Sequence, residues 1–313
     1  GDGTHTFDVR ATDPAGNRDT SPATYSWKID NLAPSTPTLT APADALMTNA
    51  LPQLRATFDD ATAGGDTGTV EFQLCSSSAA AGVSCAPVMQ SVTSGSVSNG
   101  GPASATPAAL ADGTYNWQAR ARDVAGNLSG WSATRTFQLD TSVPTVPVPS
   151  APADGASVRA IQLSAPFNKP AFAGTGIVEF RLCSDALCLS IVRSGSSGTL
   201  VNGALATWSP SSLPLDGLYY WQARAQDSVG NVSAWTPSRT LFLDRVAPGK
   251  PVNFNGQVAA DGLTLRWSAP NDNVANYVVF VDGAPWKNLG STEFEVKMGA
   301  FDSGDARSFS LVA

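Results

Sequence analysis

The chain has 313 residues, 14% of them charged, and a formal net charge of −7. No basic run exceeds a pair, so no nucleic-acid or anionic-membrane partner is expected, because both need clustered Lys and Arg. No apolar stretch reaches the roughly 18 residues that a membrane helix needs, and the 28 Gly and 22 Pro point to a turn-rich all-β chain.

The first segment, Asp2-Gly-Thr-His-Thr-Phe through Asp13-Pro-Ala-Gly16-Asn17, returns twice. It reappears as Asp112-Gly-Thr-Tyr-Asn-Trp through Asp123-Val-Ala-Gly126-Asn127, then as Asp216-Gly-Leu-Tyr-Tyr-Trp through Asp227-Ser-Val-Gly230-Asn231. A repeat of about 105 residues is too long for a solenoid unit and fits a whole β-sandwich. The expected fold is all-β, tandem β-sandwiches in an extended array. The units are 1–31, the C-terminal remnant of a module; 35–141 and 145–245, two sandwiches; and 249–313, an incomplete module. Both ends read as interrupted modules.

Within 35–141 the run Val70-Glu-Phe-Gln-Leu-Cys75 alternates apolar and polar residues, as a half-buried strand does. It matches Val178-Glu-Phe-Arg-Leu-Cys183, and each copy has a second cysteine downstream, Cys85 and Cys188. Both copies keep the pair although the loop between shrinks, which indicates two local disulfides, Cys75–Cys85 and Cys183–Cys188, and an oxidising, extracellular or cell-surface location. Free thiols and a metal pair are the alternatives, though neither spacing is a usual zinc spacing.

The next strand, Tyr115 to Arg122, again alternates. Asp123-Val-Ala-Gly126-Asn127 reads as a hairpin turn with Gly or Asn at positive φ. Trp131 and Trp235 follow the turn in two copies, with Arg120, Arg122 and Arg224 within reach across the hairpin. Stacking on guanidinium planes is one role for these Trp; an exposed platform for sugar rings is the other. Asn127-Leu-Ser129 and Asn231-Val-Ser233 match the N-glycosylation pattern and are read as incidental, on an exposed turn.

Each unit closes on Asp-x-x-x-Pro-x-x-Pro, at Asp30, Asp140 and Asp244. Proline every third residue favours an extended, semi-rigid connection.

The Leu110 to Tyr115 run resembles the tyrosine corner of fibronectin type III and related sandwiches, with Tyr219 and His5 at the matching places. The Asp-x-x-Gly-Asn turn resembles bacterial Ig-like modules strung together in large surface proteins. Pro251 to Phe254, Leu263 to Trp267 and Tyr277 to Phe280 resemble strands A, B and C of fibronectin type III, with Trp267 and Tyr277 as paired core aromatics. The Gly130-Trp131-Ser context is loosely similar to the cytokine-receptor W-S-x-W-S arrangement. By resemblance to some bacterial Ig-like arrays, Asp30, Asp140 and Asp244, with Asp13, Asp123 or Asp227 from the adjoining turns, form candidate Ca²⁺ sites. Each junction offers few carboxylates for an ion that takes 6–8 oxygens, and the alternative is that each turn Asp caps its own hairpin. No other cofactor is expected.

Catalytic parts are sparse. The only histidine is His5, so Ser/His/Asp and Cys/His arrangements lack a base. Asp59, Asp60 and Asp272 are carboxylates in turn-like contexts with no cleft implied. The expectation is a non-catalytic stalk or spacer of an extracellular adhesin or surface-assembly protein, with protein or cell-surface neighbours as partners. The rivals are an accessory region of a secreted polysaccharide-active enzyme, and a carbohydrate- or protein-binding module.

Overall fold

A computed structural model describes residues 1–60, 67–76, 85–169, 171–172, 174–270, 274–299 and 307–313. Asp272 lies outside the described residues. Among them, every helix or strand is a strand. The chain divides into two compact units, Gly1–Ala156 with Ile161–Pro214 and Leu218–Leu241, and Ser157–Ala160 with Leu215–Gly217 and Phe242–Ala313.

The first unit opens with an antiparallel pair, Gly3–Val9 on Ala23–Ile29. The first sandwich follows. One sheet contains Thr38–Ala41, Leu54–Thr57 and Pro102–Ala105. The other runs Leu46–Thr48, Arg135–Leu139, Gly113–Asp123, Thr67–Ser76, Val88–Thr93, with Val97–Ser98 also on Thr67–Ser76. The period-two pattern decides what faces inward. Val70, Phe72 and Leu74 are fully buried and pair with Ala121, Ala119 and Trp117 on the neighbouring strand. Small residues opposite large ones let the two rows share one layer, and full burial of a side chain such as Phe72 contributes about 1.5–3 kcal/mol. The residue between them, Glu71, faces outward and pairs with Arg120 at 2.8 Å.

The second sandwich repeats this register: Val178, Phe180 and Leu182 oppose Ala225, Ala223 and Trp221. Its strand Thr175–Cys183 also carries Ile191–Ser196 and Leu200–Val201, while Leu163–Pro166 pairs with Leu205–Trp208.

The second unit contains two three-stranded sheets. Val252–Ala259, Gly262–Ser268 and Glu295–Met298 form one; Ala284–Gly290, Asn276–Val281 and Phe309–Val312 form the other. Trp267 and Tyr277 meet edge-to-face in the core, ring centroids 5.6 Å apart, as the sequence pattern anticipates, and Phe309 packs against the same cluster.

Candidate functional site at the module junctions

Chemistry-bearing side chains concentrate where one module hands over to the next. The construction begins in the turn. Asp123 Oδ1 accepts from the backbone N–H groups of Gly126 (2.7 Å) and Asn127 (2.8 Å). Gly126 sits at φ 101°, a conformation that glycine adopts without steric cost. Asn127 Nδ2 then donates both to Asp123 Oδ2 (2.8 Å) and to the Asp30 carbonyl (3.0 Å). A turn inside one sandwich thereby holds the end of the preceding module.

The next junction repeats the device. Asp227 Oδ1 accepts from Asn231 N at 2.8 Å, and Asn231 Nδ2 donates to Asp227 Oδ2 (2.9 Å) and to the Asp140 carbonyl (2.8 Å). Asn127 and Asn231 are thus engaged at junctions, and Asn231 is buried, which replaces the reading of an exposed turn. Asp13 makes the same cap with Asn17. These bonds, the Asn17 side chain's first, hold its carboxyl below the ordinary value while it stays exposed. Asp244 accepts from the backbone N–H of Val246 at 3.0 Å.

A third element enters from the strand end after the buried Phe58 and Phe167. Asp60 N donates to Asn99 Oδ1 and Lys169 N to Asn202 Oδ1, both at 2.8 Å. Asp60 and Lys169 therefore hold the same place in the two sandwiches.

In the second sandwich Lys169 is 1% exposed. Its Nζ lies 2.9 Å from Asp140 Oδ2 and 2.5 Å from Asp227 Oδ2, and donates to the Ser142 carbonyl at 2.7 Å. The chain's own ammonium thus lies between Asp140 and Asp227, two of the carboxylates that the resemblance offers as Ca²⁺ ligands. Burial opposes the charge on Lys169, but the bonds to Asp227 and Asp140 outweigh it and hold its pKa above the ordinary value. Burial likewise opposes the charge on Asp227, yet the bonds from Lys169 and Asn231 hold its carboxyl below the ordinary value.

In the first sandwich the corresponding group is a third acid. Carboxylate oxygens of Asp30, Asp60 and Asp123 lie within 4.8 Å of one another, with Asp60 and Asp123 buried. At that separation each pair of full negative charges repels by about 3–4 kcal/mol at an effective dielectric near 20. Asp60 was read from sequence as a solvated turn residue. Aligning Phe58-Asp-Asp with Phe167-Asn-Lys was the signal for its place in the junction.

The remaining candidates are structural in their contacts. Cys75–Cys85 and Cys183–Cys188 are disulfides, with Cα separations of 5.5 and 5.0 Å. Arg120 lies 4.5 Å over the Trp131 ring, and Arg181 and Arg224 lie 4.2 and 4.6 Å over Trp235. Arg122 is exposed and takes no part in these stacks, whereas Arg181, on the next strand over, was not anticipated. Tyr115 donates to the Ala111 carbonyl at 2.7 Å, closing the tyrosine corner. His5 reaches the Gly1 carbonyl at 2.8 Å with the same spacing. Asp59 is exposed on the strand end beside Asp60.

Residues 58–141 match the family model of the bacterial Ig-like domain. Endoglucanase B of Cellulomonas fimi is 30% identical over 180 residues, which is 52% of this chain and 16% of that protein. The chain therefore spans about a sixth of the length of that curated relative. Among solved structures, the fibronectin(III)-like modules of Clostridium thermocellum CbhA align with TM-score 0.37 and 17% identity, over 67% of this chain and 94% of that one. The chicken CNTN1 FN1–FN3 domains align with TM-score 0.34 and 10% identity, over 89% of this chain and 92% of that one. The match over residues 58–141, the three copies of one turn and the sheets around each core together make this chain an all-β tandem array of β-sandwich modules, one of them matched by the bacterial Ig-like domain.

Proposed function

We propose that this region is a non-catalytic spacer of an extracellular protein, whose junctions hold successive modules in a fixed relation. The observation that carries this is the buried Lys169, which joins the Asp140 carboxylate at the end of one sandwich to Asp227 inside the next. A flexible tether needs no such group, and burying an ammonium is costly unless its partners are well placed. Two disulfides fit the oxidising setting. Pairs of spin labels on the two sandwiches test the reading. The expected result is one narrow distance distribution that broadens in Lys169→Met. A broad distribution in the unaltered chain would refute the fixed spacer.

A specific observation favours a polysaccharide-active enzyme as the parent over a surface adhesin: the similarity to Endoglucanase B extends over half of this chain. In that setting the modules separate a catalytic domain from other parts of its molecule. The stacked Arg side chains on Trp131 and Trp235 speak for a spacer role there over a sugar-binding one. Co-sedimentation with insoluble cellulose separates the two, since a spacer stays in solution and a binding module does not.

A further inference from the structure

Two rows of side chains cross the outer face of the second sandwich. Residues directly opposite in an antiparallel sheet share a face, as do those two apart along a strand. One row is therefore Ser194, Arg181 and Gln222, and the next is Ser196, Glu179 and Arg224. Apart from Gln222, these side chains line a pocket of about 330 Å³ that Trp235 and Ile191 complete. That size lies at the lower end of the range for small-molecule sites.

The two arginines are held differently. Arg224 is paired, its Nε 2.5 Å from Glu179 Oε2. Arg181 has a neutral partner: its Nε donates to Gln222 Oε1 at 2.8 Å, and its Nη2 donates to the same oxygen. Gln222 is braced in turn, donating to Ser238 Oγ at 3.0 Å, which donates to the Ala186 carbonyl at 2.7 Å. Among the described residues no carboxylate is in ion-pair contact with Arg181. Asp185 attracts it from further off, but accepts from the N–H groups of Leu187, Leu189 and Ser190 in its own loop. Burial, and next the like charge of Arg224, hold the Arg181 pKa below its ordinary value.

The first sandwich shows this face without the extra charge. Gln73 stands where Arg181 does, and Ser91 where Ser194 does. There Glu71 accepts from Ser91 at 2.6 Å and from Arg120 at 2.8 Å, so one acid meets one base. The second sandwich sets two bases against one acid. Stacking does not require the second base, since Arg120 alone covers Trp131 as Arg224 covers Trp235. Arg181 exceeds what the scaffold needs.

We infer that this pocket binds an acidic saccharide, seating the carboxylate of one uronic-acid unit on Arg181. Two of the five guanidinium N–H donors go to Gln222, which leaves others for a planar anion. The single charge of a carboxylate matches the single surplus positive charge, whereas a doubly charged phosphate would face Glu179. Ser194 and Ser196 offer hydroxyls, and Glu179 an acceptor, for ring hydroxyl groups that an acidic peptide side chain lacks. Trp235 is already stacked by two guanidinium groups, so a neutral sugar gains no platform here. The site goes beyond the spacer reading and does not depend on it.

Calorimetric titration of the full chain with tri-galacturonate tests the site, beside its methyl ester, sodium acetate and tri-glutamate. The expected result is one trimer per chain with a Kd of about 1 mM or tighter, weakening as salt is raised. The ester should bind about tenfold more weakly or not at all, as should the acid to Arg181→Gln, which installs the residue of the first sandwich. Should Arg181→Gln not fold, Ser194→Ala decides, with binding about threefold weaker expected. No heat of binding up to about 10 mM trimer, or undiminished binding in the variant that folds, overturns the site. An ester that binds as tightly as the acid overturns the carboxylate contact. Acetate or tri-glutamate binding as tightly as the trimer overturns the choice of a saccharide. Spin-label distances between the sandwiches are independent of all these outcomes, so the spacer reading and this one fail separately.

Discussion

Lys169 Nζ stands 2.9 Å from Asp140 Oδ2, so a carboxylate at the end of one sandwich is neutralised from within the next. Both groups are almost completely withdrawn from water, and the same ammonium also meets Asp227 from the second sandwich.

Removing the amine is therefore costly. Lys169→Met leaves Asp140 and Asp227 as buried acids facing each other, and loss of one partner of a buried ion pair typically costs about 3–5 kcal/mol. A lower denaturant midpoint for the second sandwich, with the first unchanged, is the expected outcome. Equal midpoints would show that water or rearrangement replaces the ammonium.

The same pair sets a pH window. Asp227 has a depressed pKa in the fold, so its contribution is present above the unfolded value near 3.9 and is lost as pH falls through the folded value. Lys169 has a raised pKa; its contribution is present below the unfolded value near 10.4 and is lost as pH rises through the folded one. Melting temperature against pH should show a plateau between about 4 and 10. In Lys169→Met the alkaline fall should flatten.

Tyr115→Phe removes the hydroxyl that donates to Ala111 at 2.7 Å and keeps the ring that packs on Phe137. The expected loss is about 0.5–1.5 kcal/mol, the usual net worth of such a bond. A thermal melt that does not move would show that the corner is held by packing alone.

Gly68 is a position where the missing side chain is the point. A Cβ there would lie 2.3 Å from the Phe58 ring and 2.5 Å from the Arg122 carbonyl. Gly68→Ala should destabilise the first sandwich by about 1–3 kcal/mol through overpacking, read by chemical unfolding. Gly100→Ala, where nothing lies nearby but φ is 73°, separates the steric cost from backbone strain.

Reduction should release the closed loops of Cys75–Cys85 and Cys183–Cys188. Loops this short are worth about 2–3 kcal/mol each on the chain-entropy estimate. Melting with and without reductant measures it; unchanged curves would contradict a structural role.

Much of the architecture was open to reading because it is written in periods of two and in whole-module repeats. Val70, Phe72 and Leu74 announce a strand face, and the paired cysteines announce their own bridge. Trp131 and Trp235 were assigned a cationic neighbour from strand parity, which reached Arg120 and Arg224 but not Arg181, since that residue lies one strand further across the sheet. The junctions resisted for another reason. Lys169 is far in sequence from both Asp140 and Asp227, and a lone lysine after a strand ordinarily points to water. Its role depends on three segments converging, which no local pattern encodes. Asn127 and Asn231 were read by their N-x-S pattern, when their amides are needed inside the fold.

The asparagine latch has a bearing on heredity. Asp140 directly follows the strand Arg135–Leu139 of the first sandwich, yet its carbonyl and carboxylate are bound by the second. A segment copied from Pro144 onward would keep Asp227 for its Lys169 but would arrive without the Asp140 carboxylate that also meets that ammonium and without the Asp140 carbonyl that accepts from Asn231. The piece that can be duplicated or transplanted with its bonds intact begins at the aspartate, one residue past the strand Arg135–Leu139, so neighbouring copies overlap there.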